Sequence, residues 1–139
     1  MLDNGVQSFI KTIGDEGCYA LTLCKVAEIA GIKPYCARDA VHLIESAGIG
    51  KGFIKPDMTV MDGAAFLEET TGVKWTKDYK DAGYTPQKGD YLIAEWHNKR
   101  TGLTHFTLEY PVKWDGLKDS VTVKEGAIRS YRLYRIKEK

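Results

Sequence analysis

The segment from Cys18 to Ala30 has the apolar content of a helix that is buried on nearly every side. Its polar residues are Thr22, Lys25 and Glu28, which are spaced three apart and form one narrow stripe on the predicted helix. Gly31 follows as a stop signal. Because such a helix needs other elements around it, the sequence predicts a core built on this segment.

The rest of the chain divides into a helical part followed by a strand-forming part. Helical spacing and terminal signals predict further helices at 2–13, 35–47 and about 62–71, with Asp62 as a candidate N-cap. After Gly72, short β-forming runs predict strands at 91–96, 103–110, 120–124 and 130–136. This order predicts an α+β fold, with N-terminal helices and a buried central helix packed on a C-terminal antiparallel sheet.

Composition limits the classes of protein to which the chain can belong. Hydrophobic residues make up 43% and charged residues 28% of the sequence, which is typical of a globular protein. We find no linker, so we expect residues 1–139 to form a single domain. A net charge of +1 gives no reason to expect nucleic acid or an anionic membrane as partner. The first residues lack a signal-peptide pattern, and we expect a cytoplasmic protein.

The cysteines argue against a disulfide framework and against a metal site. Their number is three, at Cys18, Cys24 and Cys36, which is odd, so at least one is free. Neither a C-x-x-C pair nor an H-E-x-x-H run occurs in the sequence. We therefore expect no metal and no cofactor. The sequence gives no indication of the oligomeric state.

Cys18 is the best-placed nucleophile in the sequence. It follows the turn-forming run 14–17, so we expect it at or near the start of the central helix, where the dipole stabilises a thiolate. Gly17 leaves space for an approaching carbonyl group. The alternative interpretation is a buried cysteine that packs as a small hydrophobic residue, which is our interpretation of Cys24 and Cys36.

His105 is the candidate general base. It lies in the predicted strand 103–110, where alternation puts it on the same face as Thr107 and Glu109. Asp115 follows past Pro111, where the chain can fold back and orient the imidazole ring. Glu109 and Asp119 are alternatives for that role.

These motifs resemble the papain-like cysteine peptidase superfamily, particularly its small bacterial and phage forms. The run Asp-Glu-Gly-Cys-Tyr-Ala around Cys18, the run Thr-His-Phe-Thr-Leu around His105, and Trp-Asp-Gly around Asp115 carry the resemblance. They are similar to bacteriocin-leader peptidases and peptidoglycan amidopeptidases. The resemblance implies a papain-like fold and a Cys-His-Asp arrangement that acts on a peptide or a peptidoglycan stem.

The resemblance also implies an oxyanion donor and a substrate-binding surface. Papain-like enzymes usually carry a glutamine shortly before the cysteine, but Thr12 stands there, and Gln7 lies further upstream as the candidate donor. Bacteriocin-type enzymes usually have proline after the aspartate, where this chain has Gly116. The candidate binding residues are Gly17, Tyr19, Trp96 and Trp114.

Two functions of different classes follow from this interpretation. The first is a thiol hydrolase that cleaves an amide bond, with Cys18 attacking the carbonyl group, His105 transferring the proton and Asp115 orienting His105. The second is a catalytically inactive papain-like protein, phage- or mobile-element-encoded, that binds a host factor or a small molecule.

Overall fold

The computed structural model describes residues 18–30, 44–115 and 121–137. The helix predicted at 2–13 and most of the one predicted at 35–47 lie outside these ranges. Residues Ile44–Ile49 form a π-helical turn, which continues beyond the predicted end at residue 47. Within the described ranges, no helix is long and apolar enough to cross a membrane.

A four-stranded antiparallel sheet forms the second half of the chain. Its strands are β1 (Trp75–Asp81), β2 (Tyr91–His97), β3 (Thr104–Tyr110) and β4 (Ala127–Ile136). Their order in the sheet is β1-β4-β2-β3, and every neighbouring pair is antiparallel. The sheet therefore has β1 at one edge and β3, the predicted histidine strand, at the other.

Within the described residues, three α-helices accompany the sheet. They are α1 (Cys18–Ile29), α2 (Gly63–Thr71) and α3 (Val121–Glu125). The Asp62 side chain caps α2 by accepting a hydrogen bond from Ala65 N at 2.9 Å, as the sequence predicts. Gly72 ends that helix in the left-handed conformation that glycine adopts without strain.

The core lies between α1, α2 and one face of the sheet. Its fully buried side chains include Leu23 and Val26 from α1, Phe66 from α2, Ile93 from β2 and Tyr134 from β4. A smaller cluster contains Leu92, Ala94, Tyr131 and Leu133, whose positions alternate with those of the first cluster and so lie on the opposite face. The predicted α+β class, with a buried helix on an antiparallel sheet, is confirmed.

In the strand half, one prediction was wrong and one strand was missed. Residues 121–124 of the segment predicted as a strand at 120–124 are helical and belong to α3. Its β-forming residues are too few to bury a strand, and α3 packs against β2 and β3 instead. β1 was not predicted, since Thr76, Asp78 and Tyr79 are exposed on an edge strand and give no apolar alternation.

Candidate active site

Cys18 is the first described residue of α1, and its thiol is free and half-buried. The Thr22 hydroxyl, one turn further along α1, donates a hydrogen bond to the Cys18 carbonyl at 2.6 Å. Cys24 differs, because it is buried in the core and burial raises the pKa of its thiol to about 12. Cys36 lies outside the described residues.

His105 is the second residue of β3, and its side chain is largely buried. Its Nε2 atom lies 2.7 Å from Asp115 Oδ1, and interaction with the Cys18 side chain raises the pKa of the same ring. The predicted nucleophile, base and orienting group are therefore brought together in this order.

Asp115 reaches His105 because the chain reverses direction after β3. The Tyr110–Pro111 peptide bond is cis, and the following segment returns along the outer edge of the strand. Leu108 and Trp114 form a bridge in which each N–H donates to the other carbonyl, at 2.8 and 2.9 Å. This bridge places Asp115 next to the histidine strand, as the sequence predicts.

The charges around His105 favour its protonated form. Burial lowers the pKa of this histidine, but hydrogen bonds to Cys18 and Asp115 and the charges of both groups outweigh burial and raise the pKa to about 9. The ring can thus carry a proton at neutral pH between a sulfur atom and a carboxylate. Such a ring can donate a proton to a leaving group and balance a neighbouring thiolate.

The other predicted site residues fall into three groups. Gln7 and Gly17 lie outside the described residues, as does Asp119. Tyr19 packs inside the protein, with its ring centroid 4.5 Å from that of Phe106 and its hydroxyl 2.6 Å from the Tyr134 hydroxyl. Trp96 and Trp114, by contrast, both line a groove.

This groove has a volume of about 360 Å³ and begins beside Asp115. Its lining combines aromatic, charged and small side chains: Trp96, Thr107, Leu108, Glu109, Lys113, Trp114, Asp115 and Val123. Thr107 and Glu109 were predicted to share the face of His105. Lys113 was not predicted as a site residue, because a lone lysine after Pro111 carries no pattern of its own. We refer to these eight residues as the Asp115 groove.

The structure also bears on two alternatives considered from the sequence, Glu109 as the group that orients His105 and a metal site. Glu109, the alternative orienting group, forms an ion pair with Lys113 at 3.2 Å. Among the residues for which the structure gives positions, no group of three or more His, Cys, Asp and Glu side chains is arranged to hold a metal ion.

Residues 2–136 match a family model described as "Protein of unknown function, DUF261". The chain belongs to the DUF261 family. No curated protein matches this DUF261 member, and no solved structure matches it. The match covers nearly the whole chain, including Cys18, His105 and Asp115.

Proposed function

We propose that this DUF261 protein is a thiol hydrolase that cleaves an amide bond in a peptide or peptidoglycan-stem substrate, and that its fold is papain-like. The proposal depends on one observation, the position of the His105 imidazole between the Cys18 thiol and the Asp115 carboxylate. A nucleophile, a base in contact with it and a third group that orients the base are the parts that such chemistry needs.

Each step of the proposed reaction uses one of these groups. The Cys18 thiolate attacks the carbonyl carbon, and the protonated His105 ring gives its proton to the leaving nitrogen as the C–N bond breaks. The resulting thioester is attacked by water, whose proton passes to His105, and the C–S bond breaks to release the acid. Asp115 holds Nε2 throughout, and Gln7 is the proposed oxyanion donor.

Alkylation of the individual cysteines by iodoacetamide at neutral pH, followed by peptide mass spectrometry, tests the nucleophile. We expect Cys18 to react at least tenfold faster than Cys24, because only a thiolate reacts and burial disfavours the Cys24 thiolate. The variant His105→Ala should slow Cys18 and leave Cys24 unchanged.

Hydrolysis of p-nitrophenyl acetate tests turnover. We expect a burst of p-nitrophenolate, an acetylated Cys18 detectable by mass, and then steady release, none of which Cys18→Ala should show. A reactive Cys18 that is acetylated but never released would support the inactive binding protein instead. Equal and slow alkylation of all cysteines would rule out both a hydrolase and an activated thiol.

A further inference from the structure

We propose that the Asp115 groove receives the leaving-group part of the substrate, and that Glu109 selects a leaving amine that carries a cationic side chain. This inference rests on the proposed function, because it assigns a substrate class to the same site. Glu109 and Lys113, on which the selection depends, take no part in the reaction steps.

The position of the groove relative to His105 supports the first half of this proposal. In amide cleavage, the imidazolium gives its proton to the leaving nitrogen, so that nitrogen must lie on the histidine side of the sulfur atom. The groove is on that side, because Asp115 lines it and Trp96, another lining residue, pairs with His105 across β2 and β3. The part of a substrate attached to the leaving nitrogen is therefore directed into the groove.

The charge in the groove supports the second part of the proposal, the selection of a cationic side chain by Glu109. The Glu109 side chain is only 19% exposed, whereas the Lys113 side chain that pairs with it is 82% exposed. An ion pair with so exposed a lysine contributes little, because water solvates the ammonium group well. A substrate cation held inside the groove can replace Lys113 on Glu109 at small cost.

The aromatic lining fits the same kind of ligand. Trp rings attract cations to their faces, and the Lys25 ammonium already lies 5.8 Å from the centre of the Trp114 ring. Ammonium groups of the chain itself thus contact both a carboxylate and an aromatic ring of the groove. These contacts indicate that the groove is complementary to a positively charged side chain.

Acyl transfer tests this proposal without knowledge of the natural substrate. Cys18 is acetylated by p-nitrophenyl acetate, and p-nitrophenolate leaves. Lysinamide and norleucinamide are then offered together at equal concentration. The α-amine of either one attacks the thioester, its proton passes to His105, the C–S bond breaks, and the N-acetyl amide is measured by mass spectrometry after subtraction of the Cys18→Ala background.

We expect about tenfold more acetyl-lysinamide than acetyl-norleucinamide, because a charge-assisted contact contributes at least that factor and the two amines differ only in the side-chain ammonium. Glu109→Gln should bring the ratio close to one. Lys113→Gln should raise the ratio, because it removes the competing ammonium. Glu125→Gln is the matched control, since Glu125 also pairs with a cation, Arg100, but lies outside the groove.

Three results would overturn the inference while leaving the hydrolase intact, provided that the Cys18-dependent burst occurs. They are a wild-type ratio near one, transfer to neither amine, and a ratio that falls in Lys113→Gln. Absence of the burst would instead overturn the proposed function. Urea unfolding of Glu109→Gln and Lys113→Gln shows whether each variant is folded, and the opposite effects expected of the two cannot both arise from a loss of stability.

Discussion

The contact between His105 and Asp115 should make the stability of the protein depend on pH within a defined range. The pKa of His105 is about 9 in the folded protein, against 6.5 for an unperturbed histidine. The folded state therefore binds more protons than the unfolded state between these two values. The resulting stabilisation is fully present below pH 6.5 and is lost as the pH rises through about 9.

The size of this effect follows from the difference between the two pKa values. At about 1.4 kcal/mol per pH unit, it amounts to about 3 kcal/mol, with Cys18 and Asp115 both contributing against the opposing effect of burial. The variant Asp115→Asn keeps an oxygen that can accept a hydrogen bond from Nε2 but removes the charge. We expect Asp115→Asn to lose roughly half of this pH-dependent stabilisation, about 1.5 kcal/mol of the free energy of unfolding, at about pH 6.

Urea unfolding followed by tryptophan fluorescence, from about pH 6 to about pH 10, measures this loss. The free energy of unfolding of wild type should fall more steeply with pH than that of Asp115→Asn, so that the two curves converge near pH 10. Asp81→Asn is the control, because Asp81 bonds to Gly83 N at an exposed turn, and its curve should run parallel to wild type. A constant offset between wild type and Asp115→Asn at every pH would refute the argument, because Asp115 would then not stabilise the protonated ring.

Two further predictions concern the fold. Gly126→Ala should lower the free energy of unfolding by roughly 1–3 kcal/mol, because the new methyl group would clash with the backbone carbonyl oxygens of Thr122 and His97. In the control variant Gly83→Ala, the methyl group makes ordinary contacts only. Urea titration of both variants measures the difference. Asp62→Ala should lower the free energy of unfolding by about 1 kcal/mol in the same assay, since the N–H of Ala65 loses its capping acceptor. Asp62→Asn should retain most of that stability. Equal losses in the two variants would contradict the capping role.

Much of the secondary structure could be predicted because its signals are local. The continuous apolar segment after Cys18 predicts α1, and Asp62 and Gly72 mark the ends of α2 by capping chemistry that depends on a few neighbouring residues. Alternation likewise predicts β3 and the face on which His105 lies. Local signals failed where the local preference was weak, at the exposed edge strand β1 and at α3, whose short run of β-forming residues is helical in its tertiary setting.

The sequence by itself pointed to the candidate residues of the site, since Cys18 combines a predicted helix start with a preceding glycine, and His105 precedes a carboxylate that a chain reversal can bring back. Tertiary structure alone decided that they meet. The strand order puts β3 at the sheet edge where α1 packs, and the Leu108–Trp114 bridge turns Asp115 towards the ring. It also formed the Asp115 groove, because Trp96, Glu109 and Val123 come from β2, β3 and α3, whose proximity depends on long-range packing that sequence periodicity does not encode.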